Sequence, residues 1–176
     1  MRELRDNREV IWSETPPFPK NMMMELTNIC NHQCVFCGYS KMKRKRTKCD
    51  KALMMDVISK AYALGTRELG FYLVGEPFLC EDIGDYVKKA KDVGYEYIYV
   101  TTNGALATVD KVQKLIELGL NSIKFSINAA KAETYKRIHG KDDFEAVKKN
   151  VIDLFNLRTK LTPPIQHSSI HFFYQD

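Results

Sequence analysis

The chain has 176 residues and a mass of 20.4 kDa, with 44% hydrophobic and 28% charged residues, enough apolar material for one core. Aromatics at 11%, with only 9 Gly and 6 Pro, exclude a disordered or collagen-like chain. No apolar run approaches the roughly 18–20 residues that cross a bilayer. Met1–Lys20 mixes charges with prolines and has no apolar signal core, so the expectation is a cytoplasmic protein without a membrane span. The net charge of +5 is local: six basic residues between Lys41 and Lys48 account for it, and the remainder is near neutral. That leaves no general nucleic-acid-binding surface.

In chain order, Met1–Asn21 reads as an extended lead-in, kept from helix by Pro16, Pro17 and Pro19. Residues 22–176 read as one domain. Met22–Leu26 predicts a first strand. Asp50–Leu64 places Leu53, Met54, Val57, Ile58, Ala61 and Leu64 on helical spacing, with Gly65 as a stop. Leu69–Val74 predicts a second strand and Ile83–Val93 a helix ended by Gly94. Tyr97–Thr101 predicts a third strand and Val109–Leu118 a helix ended by Gly119. Ser122–Ile127 predicts a fourth strand, Glu133–Arg137 and Phe144–Leu157 two helices, and Ser168–Tyr174 a fifth strand. Strands alternating with helices give a parallel α/β sheet built of βαβ units. Doubly wound and barrel arrangements fit that alternation equally well.

Five cysteines is an odd number, and three of them, Cys30, Cys34 and Cys37, sit within eight residues in TNICNHQCVFCG (Thr27–Gly38). A disulfide framework is not spaced that way, whereas a metal or cluster site in a reducing compartment is. Three thiolates on one tight loop can hold three corners of an iron–sulfur cubane and leave the fourth iron open to a ligand with an amine and a carboxylate. Three cysteines with His32 or Cys49 as a zinc site is the alternative. Against it, zinc sites usually come as two spaced pairs, and His32 lies awkwardly inside the loop.

The spacing C-x3-C-x2-C, with Phe36 just before the last cysteine, resembles the radical S-adenosylmethionine superfamily. That resemblance implies a 4Fe-4S cluster held by Cys30, Cys34 and Cys37, with S-adenosylmethionine chelated to the fourth iron. It implies reductive cleavage of that cofactor to a 5′-deoxyadenosyl radical, which abstracts hydrogen from a substrate. It also implies a partial parallel (β/α) TIM-like barrel, of which five strands are visible here. Three further stretches are similar to motifs of the family. Gly75-Glu76-Pro77 follows the second strand, where Gly permits close backbone approach and Glu can accept from an ammonium group. Thr102-Asn103 follows the third strand. Ser126-Ile127-Asn128-Ala129 follows the fourth and departs from the family's Ser-Ile-Asp-Gly at Asn128 and Ala129. The resemblance implies cofactor contacts for Phe36, Gly75, Glu76, Pro77, Thr102, Asn103, Ser126 and Asn128. All four stretches fall just past strand ends on the face where parallel α/β folds place their sites.

The stretch Glu133–Phe144 most resembles members that carry a SPASM extension, yet no cysteine lies beyond Cys80. A sixth β/α unit is missing, and a chain stopping after a strand reads as a truncated core. The basic run suits an acidic electron donor such as flavodoxin or ferredoxin, with a solvated mobile connection as the simpler reading. Cys80, just after the second strand, could approach the cluster face; a small buried hydrophobe is the simpler reading. His139, His167 and His171 show no ligand spacing and read as core or surface residues. Tyr72, Tyr97 and Tyr99 read as packing residues. A non-catalytic iron–sulfur or zinc module, or an incomplete fragment, is the alternative to an enzyme. The substrate and the catalytic residues are not legible.

Overall fold

The computed structural model describes Glu14, residues 16–160 and Ser169–Phe173. Five strands, β1 (Asn21–Met24), β2 (Glu68–Phe71), β3 (Tyr97–Thr102), β4 (Ser122–Ser126) and β5 (Ser169–Phe173), form one sheet in the order β1-β2-β3-β4-β5. Every pairing is parallel. The crossovers are α1 (Lys51–Ala63), α2 (Ile83–Val93), α3 (Val109–Glu117) and the pair α4 (Ala132–His139) and α5 (Phe144–Lys160). Parallel crossovers are right-handed, so an order that never reverses carries every helix to the same face. This excludes the doubly wound alternative and leaves a barrel-like sheet that is not closed. No described helix is long and apolar enough to cross a membrane.

The core lies between the sheet and its helices. Met24, Leu69, Phe71, Ile98, Val100, Ile123 and Phe125 from the strands pack with Met54, Ile58, Ala61, Tyr86, Val87, Ala90, Val112, Leu115 and Leu154 from the helices. The concave side is filled by polar and aromatic residues. Asn21 donates to Glu68 at 2.8 Å and accepts from the Tyr99 hydroxyl at 3.2 Å. Lys124 Nζ sits 3.9 Å above the Tyr99 ring, which stacks on Tyr97. These tyrosines are packing residues, as read from sequence.

The helices Ile83–Val93 and Val109–Glu117 match the sequence reading to within a residue, the last helix runs on from Leu157 to Lys160, and the first two strands and the helix before His139 have other limits than expected. The first strand starts one residue earlier and ends at Met24, because the Leu26 carbonyl accepts from Cys49 N–H (2.9 Å) and not from the sheet. Asn21 therefore belongs to the sheet rather than to the lead-in. The second strand ends at Phe71, opposite Met24; beyond it Leu73 turns outward and Val74 N–H donates to the Glu25 carboxylate at 3.2 Å. Tyr72 is thus off the strand. The fourth crossover helix is longer than expected, running to His139. His167 lies outside the described residues.

Candidate functional site: a clamped cysteine loop

The cysteine loop leaves β1 and is held from three directions. Below it, Glu76 N–H donates to the Ile29 carbonyl at 2.9 Å, and a Cβ placed on Gly75 would lie 2.0 Å from the Thr27 carbonyl oxygen. Gly75 thus lets two backbones touch; its closeness is to the loop itself. On one side, the end of α4 clasps the loop: Gln33 N–H donates to the His139 carbonyl (3.0 Å) and Val35 N–H to the Ile138 carbonyl (2.9 Å). Gly140 closes that helix at φ 65, and a side chain there would press on the Gln33 carbonyl at 3.0 Å. On the other side the return segment forms a clip. Thr27 pairs with Lys48, Asn28 binds the Lys45 carbonyl (2.9 Å) and Thr47 N–H (2.7 Å), and the Tyr39 hydroxyl donates to the Cys30 carbonyl (3.1 Å).

That clip is the basic run, and it is not a free connection. Arg44 forms a two-pronged pair with Glu25 (2.9 and 3.4 Å), Arg46 lies 4.7 Å above the Tyr39 ring, and Lys48 reaches Glu81 at 3.1 Å. Exposed pairs of this kind are individually weak, near ~0–1 kcal/mol. The backbone bonds beneath them fix the path.

The thiols are half-buried and supplied with donors. His32 N–H points to Cys30 Sγ at 3.5 Å, Tyr39 N–H to Cys37 Sγ at 3.4 Å, and Asn103 Nδ2 to Cys30 Sγ at 3.9 Å. Burial raises the Cys30 thiol above its ordinary range. Burial, with Cys30 and Cys37 nearby, pushes Cys34 up to about 12. Without metal these groups hold their protons; a cation is required to take them as thiolates. Backbone N–H groups aimed at sulfur are the setting in which iron–sulfur clusters are held and tuned, so the donor set fits a cluster.

Glu76 ties the strand ends together. It is 2% exposed, and its carboxylate accepts from Phe78 N–H (3.0 Å), the Thr102 hydroxyl (2.8 Å) and Asn103 N–H (3.0 Å). Burial raises its pKa, against the pull of these donors. Three of roughly four acceptor positions are used within the fold. Pro77 opens a buried single turn of 3-10 helix (Pro77–Leu79). Asn103 continues the link, donating to Asn31 Oδ1 at 2.8 Å in the cysteine loop. The structure therefore brings Cys30, Gly75, Glu76, Pro77, Thr102 and Asn103 into one bonded unit. Ser126 ends β4 half-buried, and Asn128 beyond it has φ 54, the one non-glycine residue with positive φ among those described. Asn tolerates that left-handed backbone better than most residues do. Phe36 is 57% exposed, its ring edge-on to His139 at 6.1 Å.

Two placements bear on the sequence reading: Cys80 takes its simpler reading, a small buried hydrophobe, and His139 makes a contact that the sequence did not show. Cys80 is buried in the helix-side core, where its electrostatic neighbours are Asp82, Lys48 and Cys49 rather than Cys30, Cys34 or Cys37. His139, which showed no ligand spacing, is buried against the loop, with Nδ1 3.4 Å from Cys34 Sγ and its ring stacked on Tyr135 at 4.2 Å. His32 bonds Asp143 at 3.0 Å. The only hint in the sequence is that His139 precedes Gly140, a helix stop that must pack closely on something.

Comparison with known proteins identifies the family. The family model of the Radical SAM superfamily matches residues 24–162, and the chain belongs to that superfamily. A probable GTP 3′,8-cyclase of Saccharolobus islandicus (strain M.14.25 / Kamchatka #1) is 32% identical over 130 residues, 73% of this chain and 41% of that protein. A probable GTP 3′,8-cyclase of Methanothermobacter marburgensis is 29% identical over 131 residues, 74% and 42% respectively. The chain thus spans about two fifths of the length of the curated relatives it matches. Among solved structures, BtrN in complex with AdoMet and 2-DOIA superposes with a TM-score of 0.60 at 21% identity, covering 87% of this chain and 56% of BtrN. Streptococcus suis SuiB bound to precursor peptide SuiA gives 0.68 at 17%, covering 88% and 33%. These likenesses establish the fold. The cofactors of the superfamily are a 4Fe-4S cluster and S-adenosylmethionine.

Proposed function

We propose that this chain is the cluster- and cofactor-binding core of an enzyme that cleaves S-adenosylmethionine reductively and abstracts hydrogen from a substrate. The observation that carries the reading is the bonded unit joining the cysteine loop, through Gly75-Glu76, to Thr102-Asn103 at adjacent strand ends. In this reading Cys30, Cys34 and Cys37 hold the cluster. Gly75, Glu76, Pro77, Thr102, Asn103, Ser126, Asn128 and Phe36 surround the cofactor. When bound, the pair supplies a one-electron cleavage of the sulfonium and a radical able to take a hydrogen atom.

The chain's own residues do the positioning. The backbone N–H groups of His32 and Tyr39 offset charge on Cys30 and Cys37. Glu76 keeps the second and third strand ends in register with the loop and retains one acceptor position toward the cofactor's ammonium group. Asn128, left-handed at the end of β4, offers a side-chain amide. The exposed lysines of the clip, Lys41, Lys43 and Lys45, suit an acidic reductant of flavodoxin or ferredoxin type. Thiols kept for metal fit a cytoplasmic location.

The relatives named GTP 3′,8-cyclase make a purine nucleoside triphosphate the first substrate to test. Protein reconstituted anaerobically with iron and sulfide is expected to be brown and to bleach with dithionite. It should then release 5′-deoxyadenosine from S-adenosylmethionine, faster when GTP is present. A colourless protein holding one zinc after reconstitution overturns the reading. Bound iron without 5′-deoxyadenosine favours a non-catalytic module.

A further inference from the structure

Beside Cys34 lie two buried imidazoles that the proposed function leaves without a role. His32 and His139 are each 1% exposed. His32 Nε2 faces Asp143 Oδ2 at 3.0 Å; a carboxylate accepts, so Nε2 carries a proton, and Nδ1 is buried with no partner. His139 Nε2 donates to the Ile127 carbonyl, which leaves Nδ1 as the acceptor facing Cys34 Sγ at 3.4 Å. Each ring thus has one nitrogen held by an oxygen and its other nitrogen uncommitted to the backbone. Metal-ligating histidines are oriented in this way, by a carboxylate or carbonyl on the second nitrogen.

Among the described residues, the metal-ligating side chains whose donor atoms all lie within 4.8 Å of one another are His32, Cys34 and His139; Cys30 and Cys37 are not in that set. A tetrahedral ion with bonds of about 2.0 Å to nitrogen and about 2.3 Å to sulfur spaces the two donors about 3.5 Å apart. The edge between Cys34 and His139 already has that length. The other edges need to close by at most about 1.5 Å.

We propose that, when no cluster is bound, His32, Cys34 and His139 form a mononuclear site for one soft divalent cation such as zinc, with water as a fourth ligand. Two imidazoles and a thiolate are the donor set zinc takes. Binding replaces the Cys34 S–H bond by a sulfur–metal bond and releases one proton to solvent; no electron moves. Cys34 belongs to both donor sets, so the ion and the cluster exclude one another. That competition rests on the cluster reading; the site does not.

The test uses the full chain, freed of metal, in a Cys30→Ala/Cys37→Ala double variant that leaves the proposed ligands intact and removes two cluster cysteines. Cobalt(II) is expected to bind one per chain, with tetrahedral visible bands and a thiolate charge-transfer band. Adding His139→Ala should weaken binding by more than 100-fold, and Asp143→Asn by about 10-fold. No stoichiometric cobalt binding, or binding indifferent to His139, overturns the site. Because His139→Ala also removes the stacking on Tyr135, X-ray absorption at the zinc edge serves as a readout with both histidines in place. Two imidazole nitrogens and one sulfur support the site. No sulfur in the double variant, or three sulfurs in the unmodified chain, overturns it. Loss of the cluster in the unmodified chain is expected to follow zinc addition before iron, and not after.

Discussion

Five thiols occur in this chain, and they occupy two different environments. Cys30, Cys34 and Cys37 sit on a loop clamped by three segments, with backbone and amide N–H groups aimed at two of the three sulfurs. Cys49 and Cys80 sit against the helix-side core among Met54, Ile58 and Tyr86. Burial raises the thiol pKa in both places. A raised pKa therefore does not separate a ligand from a packing residue; convergence and directed donors do. A glycine contact, a helix end and a clip of backbone all converge on the loop that carries the first set.

The sharpest way to break that contrast is Cys34→Ala. It is expected to abolish cluster retention and cofactor cleavage, read as iron and sulfide per chain and as 5′-deoxyadenosine, while Cys80→Ala keeps both. Next comes Gly75→Ala. Its Cβ would meet the Thr27 carbonyl at 2.0 Å, and backbone cannot yield as a side chain can. A loss of about 3 kcal/mol in urea unfolding is expected, together with reduced iron occupancy. Glu76→Gln places an amide among three donors, so one donor or the amide goes unpaired, at about 1–3 kcal/mol. This variant also carries a pH signature. Burial holds the folded carboxyl above its ordinary 4.5, so the folded chain binds that proton more tightly than the unfolded chain does. The Glu76 contribution to stability therefore falls as pH rises from 4.5 through the raised value, and unfolding of Glu76→Gln should lack that component. The smallest effect is expected of Cys80→Ala, about 1 kcal/mol from lost packing alone, with iron unchanged.

Much of this was legible in the sequence, because local signals and global fold agree. Ile83–Val93 carries its apolar stripe and its terminal Gly94 within one window, and the helix forms over those residues. The three cysteines were singled out by their spacing, and the structure clamps the loop that carries them. The strand limits were less legible, since Val74 and Leu26 are apolar enough to continue a strand. What ends them is a carboxylate from Glu25 and a carbonyl bond to Cys49, each supplied by a distant segment. His139 was illegible for the same reason: its relation to Cys34 spans 105 positions, and no periodicity reports it. The six basic residues were legible as charge, but not as the outer layer of a clip, because the bonds that anchor it run through backbone and Asn28.

The sequential order of the strands has a kinetic consequence. Each strand pairs only with its neighbours along the chain, so the sheet can grow one crossover at a time and never waits for a distant strand. The clasp between Gln33 and the end of α4 is different: it joins the first loop to a helix that follows four strands. The loop reaches its final shape only after the sheet has grown past β4. During synthesis the segment that supplies this clasp is made only after the residues of the first four strands. Of the three segments that clamp the loop, the His139 wall is therefore the last to be made as the chain is synthesised.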